Sequence, residues 1–245
     1  MNSNITNTLL VGSNGRIGKA ICEHLINNNH NVYGIDIKNT KKKHENYIFS
    51  NVNITKSAQI DKFFDINKKI NFLNLIYCAY PFNKSWGTKF EKLNFKNLSE
   101  NITSQLTSQI YFLKNFFNHS IKNKARVKVI LFSSIQGLGS PKFEHYKSLN
   151  MGTPIEYSAT KASVINITKY LAKYYKGYGY NINCISPGGI KDNQNKIFIK
   201  RYKKSSLNNG LLDPKDILST VDFLISNKSK FINGQNIIVD DGWSI

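Results

Sequence analysis

The sequence predicts an α/β fold, a doubly wound parallel sheet with helices on both faces. Three observations lead there. Short apolar runs alternate along the chain with stretches of helical periodicity. The first run opens directly into a glycine-rich turn and a helix, Gly12-Ser13-Asn14-Gly15-Arg16-Ile17-Gly18. The second run ends at an acidic residue, Asp36, about 20 positions beyond those glycines. With no internal repeat and no Pro- or Gly-rich linker, residues 1–245 read as a single domain, large enough to bury a full core.

Thr8–Val11 is the first strand and Lys19–Asn27 the first helix. Between them Gly12 lets the chain turn tightly. Gly15 and Gly18 let backbone approach a pyrophosphate and let the helix pack on its strand. The helix N-terminus then offers N–H donors to the anion. Asn14, Arg16 and Ile17 belong to the same loop and are assigned with the glycines to a dinucleotide cofactor. Val32–Ile37 is the second strand. Asp36 at its end can accept both hydroxyls of a ribose and repel a 2′-phosphate, which favours NAD over NADP. Arg16 and Lys38 argue the other way, so NADP stays open; a solvated strand-end residue is the plainer reading of Asp36.

Lys41–His44 reads as an exposed turn, Val52-Asn53-Ile54 as a strand end with Asn53 in reach of an adenine edge, and Ser57–Asn67 as a helix. Asn71–Ala79 is an apolar strand closed by Tyr80-Pro81, since proline cannot continue a central strand; Ala79 is assigned to the cofactor. Ser99–His119 is a long helix with Ile102, Leu106, Ile110, Leu113 and Phe117 on one face, widened by Phe112 and Phe116. Val127–Phe132 is a buried strand ending in Ser133-Ser134, hydroxyls at the carboxyl end where such sheets bind ligands.

Ile135–Glu156 is irregular, and a helix then runs to about Tyr175. Its first turns carry Tyr157 and Lys161 on one face. A free phenol, with a pKa of about 10, is a poor acid–base at neutral pH, and a nearby cation favours its ionised form. The pair is therefore suited to proton transfer with a substrate oxygen, although on spacing alone a half-buried tyrosine beside a solvated lysine is the plainer reading. Asn181–Ile185 is a strand broken by Ser186-Pro187-Gly188-Gly189. Lys196–Lys204 is a basic helix, and Asp213 caps a helix over Lys215–Ser226 with Pro214 in its first turn. Gly234–Asp240 is the last strand.

The formal charge is +19, from 34 Lys and Arg against 15 Asp and Glu. The lysines are spread along the whole chain with asparagines, which reads as compositional bias; no nucleic-acid recognition motif accompanies them. Cys22, Cys78 and Cys184 lack metal-ligand spacing, so no metal is expected, and so sparse a count fits a reducing cytoplasm. The polar start Met1-Asn2-Ser3-Asn4 is unlike a signal peptide, and no apolar run approaches the roughly 20 residues of a membrane span.

In this order, the Gly12–Gly18 loop, Asp36, Ser134, Tyr157/Lys161, Pro187-Gly188 and the tail Ile232–Gly242 resemble the short-chain dehydrogenase/reductase family over nearly the whole chain. The resemblance implies a Rossmann-type fold and an oxidoreductase that moves hydride between NAD(P) and a carbonyl or alcohol carbon. It implies that Ser134 bonds the substrate oxygen, that Tyr157 is the general acid or base, and that Lys161 lowers the tyrosine pKa and binds the nicotinamide ribose. Pro187 and Gly188 would line the nicotinamide pocket, with Ile190 also at the cofactor. Dimers or tetramers through the helices at Ser99–His119 and Tyr157–Tyr175 follow from the same resemblance.

Four departures stand out. The family's Asn-Asn-Ala-Gly strand end reads Tyr77-Cys78-Ala79-Tyr80. Gln105 stands where a helix asparagine supports the proton relay, and is assigned a catalytic role in its place. The threonine that often follows the Pro-Gly pair is absent, with Asp192 nearby. Ser134 and Tyr157 are 23 residues apart, a longer spacing than the family's. The insertion, Leu138–Ile155, resembles a branch tied to bacterial surface-glycan and flagellin-glycan sugars. Segments 138–156 and 190–212 are expected to be substrate lids, the insertion alternatively being a flap that packs its own aromatics. His145 is expected at the surface or in the lid, and Glu156 either raises the Tyr157 pKa or binds a hydroxyl. Lys191, Lys196, Lys200, Arg201, Lys203 and Lys204 oppose only Asp192, which suggests an anionic substrate such as a nucleotide- or phosphate-linked sugar, or else a solvated helix face. The reading from another class is a non-catalytic dinucleotide-binding regulator or scaffold.

Overall fold

The computed structural model describes residues 6–40 and 42–245, so the polar start and Lys41 of the expected turn lie outside the described residues. Seven strands form one sheet: β1 Asn7–Val11, β2 Asn31–Asp36, β3 Tyr47–Asn51, β4 Asn74–Tyr77, β5 Lys128–Phe132, β6 Asn181–Pro187 and β7 Asn236–Val239. Their spatial order is β3-β2-β1-β4-β5-β6-β7 and every pairing is parallel. The winding reverses between β1 and β4, so the connections leaving those two strands diverge and open a crevice at their carboxyl ends.

Both faces of the sheet are covered. Successive side chains of a strand point to opposite faces. Leu9 and Val11 accordingly join a core with α2 (Ser57–Ile66), α4 (Ser108–Lys122) and α5 (Ile155–Tyr174). Leu10 joins the opposite core with α1 (Arg16–Asn27) and α7 (Leu218–Ile225). This double burial is why the strands read as continuous apolar runs. A third, smaller cluster of Ile135, Phe198, Tyr202, Leu211 and Trp243 lies outside the sheet and involves α6 (Lys196–Lys204).

Three elements differ from the sequence reading. The third strand is Tyr47–Asn51 and precedes Val52-Asn53-Ile54, because its pairing runs Val32 to Tyr47 through Asp36 to Asn51. β6 continues through Ser186 to Pro187; Pro187 needs no ladder donor at the strand's last position. The long helix begins earlier, as α3 (Phe95–Ile102), and passes into α4 through a π-helical turn over Thr103–Thr107. That turn inserts one residue into the helical repeat and rotates everything before it. Before and within the turn the buried side chains are therefore Asn101 and Gln105; Ser108 and Gln109 are buried just after it, while Ile110, at the margin of the α4 apolar face, is exposed. The second half obeys the expected face, with Phe112, Leu113, Phe116 and Phe117 buried. Asp213 caps its helix as expected: its carboxylate accepts from Lys215 N, and the Asp213 N–H donates back to Asp216.

Phe112 joins α4 to Phe64 of α2 and Tyr77 of β4 with no exposed surface. Phe112→Ala should cost about 3–5 kcal/mol in urea unfolding, the loss of a well-packed aromatic with a cavity left behind.

Candidate active site

The loop after β1 is shaped to receive an anion. Gly12 has φ +84°, and a Cβ on it would lie 2.7 Å from the Ala79 backbone nitrogen. Gly18 lies so close to the Gly12 carbonyl that any side chain would collide with it. The N-cap of α1 is Gly15, which has no side chain to satisfy the first-turn N–H groups, and no acidic residue sits in that turn. Those donors face the crevice free for a phosphate.

The crevice is a cleft of about 620 Å³ running from the Gly12–Gly18 loop past Asp36 to Ala79 and Tyr80. Both oxygens of Asp36 are held, by Asn14 N–H and Lys38 N–H, each at 2.9 Å. The carboxylate is thereby fixed at the cleft's far end. Ile17 and Ile190 supply apolar wall. Asn53 lines the cleft too, but its side-chain carbonyl accepts from Thr55 N and Thr55 Oγ1, so contact with a base edge falls to its amide nitrogen. Pro187 ends β6 and Gly188 follows it, with Gly188 N–H donating to Val239 O and continuing the sheet. Arg16 pairs with Asp192 across the cleft mouth.

Ser134, Tyr157 and Lys161 meet beside the inner end of this cleft. Ser134 is the second residue past β5, and α5 packs back onto that strand end through Ser133 Oγ, which donates to the Lys161 carbonyl at 2.7 Å. Lys161 Nζ donates to Phe132 O at 2.8 Å and is 8% exposed. Burial pulls its pKa down to about 8, with the neighbouring Cys78 thiol pulling slightly the other way. Burial pushes the Tyr157 phenol up, and a hydrogen bond with the Ser134 hydroxyl draws it down. The lowering expected from Lys161 is not the dominant influence, because the ammonium points at Phe132 O and stands 5.7 Å from the Tyr157 ring centroid. What the geometry does provide is a hydroxyl, a phenol and a buried ammonium in one desolvated corner, able to exchange a proton with an oxygen placed there.

Gln105 joins the corner from the π-helical turn, a feature that recurs at functional sites. Its Oε1 accepts from Tyr80 OH at 2.8 Å and lies 3.1 Å from Thr160 Oγ1, while its Nε2 is buried without a partner. Glu156 is buried. Its Oε1 faces Asn101 Nδ2 at 3.4 Å, and Asn101 Oδ1 accepts from Asn83 N. Its Oε2 is buried without a partner.

The sequence reading missed two aromatics. Tyr80 and Trp86 meet the Tyr157 ring edge-on, with centroids 5.2 and 6.3 Å away at 81° and 89°. The available signal was Tyr80 itself, a bulky residue where the resembling motif has glycine.

The insertion and segment 190–212 pack on each other. Tyr146, Leu149 and Met151 lie against the third apolar cluster, and Arg201 donates to Lys147 O at 2.6 Å. Segment 190–212 closes on itself where Leu212 N donates to Gly189 O and Lys191 N to Leu212 O. His145 is 2% exposed and so is not a surface residue. It sits among Phe198, Tyr202 and Trp243, with Nε2 2.9 Å from Ser205 Oγ. Phe198 and Tyr202 of α6 face inward, while Lys196, Lys200, Lys203 and Lys204 face solvent. Among the described residues no helix is long and apolar enough to cross a membrane.

Comparison with known proteins agrees with this geometry. A family model described as enoyl-(acyl carrier protein) reductase matches residues 12–244. Post-translational flagellin modification protein A of Campylobacter coli is 32% identical over 96% of this chain and 97% of its own length. A diacetyl reductase of Staphylococcus epidermidis is 26% identical over 96% of each chain. Among solved structures, a short-chain dehydrogenase from Leptospira borgpetersenii with bound NAD+ superposes with a TM-score of 0.90 at 28% identity, over 98% of this chain and 93% of that one. Matches that run nearly end to end in both sequence and structure leave one assignment: the chain belongs to the short-chain dehydrogenase/reductase family.

Proposed function

We propose that the chain is an NAD-dependent oxidoreductase acting on a carbonyl or alcohol group of a small anionic substrate, a nucleotide- or phosphate-linked sugar. The convergence of Ser134, Tyr157 and Lys161 beside the cleft's inner end carries this reading. The nicotinamide, when bound, supplies or accepts the hydride. Ser134 holds the substrate oxygen. In the reductive direction Tyr157 donates its proton to that oxygen, and in the oxidative direction it takes the proton back. Lys161, fixed at the end of β5, supplies positive charge at the base of the pair. The family relationship, and the bound NAD+ of the Leptospira neighbour, support the coarse activity. The relative named for flagellin modification supports the glycan branch.

Two contacts favour NAD over NADP. Asp36 is fixed where a 2′-phosphate would approach, and Arg16 is drawn to Asp192 and away from that position. Lys38 beside Asp36 is the residue that still favours NADP. The exposed lysines of α6 support an anionic substrate. Stacked, exposed Tyr170 and Tyr174 on α5, with exposed Ile110 and Ile121 on α4, support assembly through these helices as a dimer or tetramer, which size-exclusion chromatography with light scattering would measure.

Four outcomes follow. Titration followed by intrinsic fluorescence should show NADH binding more tightly than NADPH, with Asp36→Ala and Asp192→Ala each narrowing the gap; tighter NADPH binding would overturn the preference. Tyr157→Phe should keep NADH affinity and lose turnover by about 10²–10⁴-fold; undiminished turnover would sink the mechanism, and failure of the native protein to bind either cofactor would favour the scaffold reading. A Lys200→Ala/Lys204→Ala double variant should raise KM for the true substrate and flatten its salt dependence, leaving NADH affinity alone. Finally, burial holds His145 below its ordinary value, with Glu144 opposing this and Lys142 and Arg201 reinforcing it. The folded lid thus binds fewer protons than the unfolded one. Its stability is complete above about pH 6.5 and declines as the pH falls through that value. Trp243 fluorescence in a Trp86→Phe background should report the acid transition, and His145→Phe should abolish it.

A further inference from the structure

Two of the four departures from the family pattern meet in space. Tyr80, at the end of β4, and Gln105, in the π-helical turn, are joined by a hydrogen bond of 2.8 Å. The Trp86 indole N–H reaches the same phenol oxygen at 3.3 Å. With its hydroxyl held from two sides, the Tyr80 ring has one orientation. Its face lies 4.8 Å from Lys161 Nζ, nearer than the Tyr157 ring, and it meets Tyr157 edge-on.

Lys161 needs such a neighbour. Its ammonium has the Phe132 carbonyl as acceptor, and no carboxylate among the described residues lies within ion-pair distance of it. The titratable groups that face it are the Cys78 thiol beside β4, Tyr80 two residues further on, and Tyr157 from its own helix. A buried cation without a counter-ion is costly to keep charged, and an aromatic face is the remaining compensation at this site.

We infer that Tyr80 is a positioning residue for Lys161: its ring face holds the ammonium, and its hydroxyl, bonded to Gln105, holds the ring. Gln105 then acts through Tyr80. A glycine at position 80 would leave the ammonium with no such face, so the bulky residue and the exchanged amide form one coupled substitution. The inference rests on Lys161 belonging to the proton-handling pair, but its test requires no turnover and so fails or succeeds independently of the substrate.

The test is competitive labelling of the whole protein with acetic anhydride across a pH series, with acetylation of the Lys161 peptide quantified by mass spectrometry. The native protein should give a Lys161 midpoint near about 8. Tyr80→Leu removes the ring and should lower the midpoint by roughly one unit. Tyr80→Trp keeps an aromatic face and should hold it. Gln105→Leu cuts one tether of the ring and Tyr80→Phe cuts both, so each should give a smaller decrease, with the double variant no worse than Tyr80→Phe alone. Far-UV circular dichroism and a cooperative thermal unfolding transition verify that each variant is folded. An unchanged midpoint in Tyr80→Leu, or equal decreases in the Leu and Trp variants, overturns the inference. If Tyr80→Leu does not fold, the tether pair decides: additive effects of Gln105→Leu and Tyr80→Phe, or none, overturn it as well.

Discussion

Burial of the sheet on both faces is the constraint from which the rest of the molecule follows. With α1 and α7 on one side and α2, α4 and α5 on the other, no side chain inside a strand can reach a ligand. Chemistry is confined to the carboxyl edge, where strands release their chains into turns. The β1 turn offers backbone donors, the β2 end offers Asp36, the β4 end offers Tyr80, and the β5 end offers Ser134. Reversal of the strand order between β1 and β4 opens the crevice at the centre of that row. A cofactor-sized cleft and a proton-handling corner thus become neighbours as a consequence of topology, and only the identity of a few edge residues was left to specify.

That same constraint decides what could be read without coordinates. Doubly buried strands give continuous apolar runs, so the inner strands were visible, whereas the half-exposed edge strand Tyr47–Asn51 was placed a few residues late, at Val52–Ile54. Gly12 to Gly18 declared the phosphate turn because its backbone tolerates no side chain. The helix N-cap at Asp213 was equally plain, since both partners of its box lie within four residues. What escaped notice depended on non-local contact. The π turn at Thr103–Thr107 carries no composition of its own, yet it rotates the helix ahead of α4 and brings Gln105 inward. His145 reads as polar in sequence, but folds into a box whose walls come from α6 and the tail. Position 80 was marked as unusual; that it joins position 105 follows only from the packing of β4 against the long helix.

The corner itself shows two opposing effects of desolvation. Removing water raises the cost of ionising Tyr157 and of protonating Lys161, so burial drives both toward neutrality. An acid–base pair made wholly neutral would lose the field that makes it useful. Oriented groups counter the loss without adding a full counter-charge: the Ser134 hydroxyl toward the phenol, the Phe132 carbonyl and the Tyr80 face toward the ammonium. A carboxylate in place of these would hold the lysine more strongly, but would also repel an oxyanion developing on the substrate. Dipoles and a ring face stabilise the cation while leaving its positive potential directed at the site.

Segment 190–212 and the cofactor cleft share parts. Ile190 is both cleft wall and the first residue of segment 190–212, and Asp192, two residues on, reaches Arg16 of the phosphate turn. At its other end the segment is gripped by Asp241, whose carboxylate accepts from the N–H groups of Asn208, Asn209 and Gly210. The two attachments differ in strength. Three backbone donors on one carboxylate form a fixed anchor, whereas an ion pair with both partners nearly half exposed is weakened by solvent screening. Any outward motion of the segment would therefore pivot near Asp241 and separate first at Arg16–Asp192. The insertion, bound to α6 through Tyr146, His145 and Arg201, would travel with it.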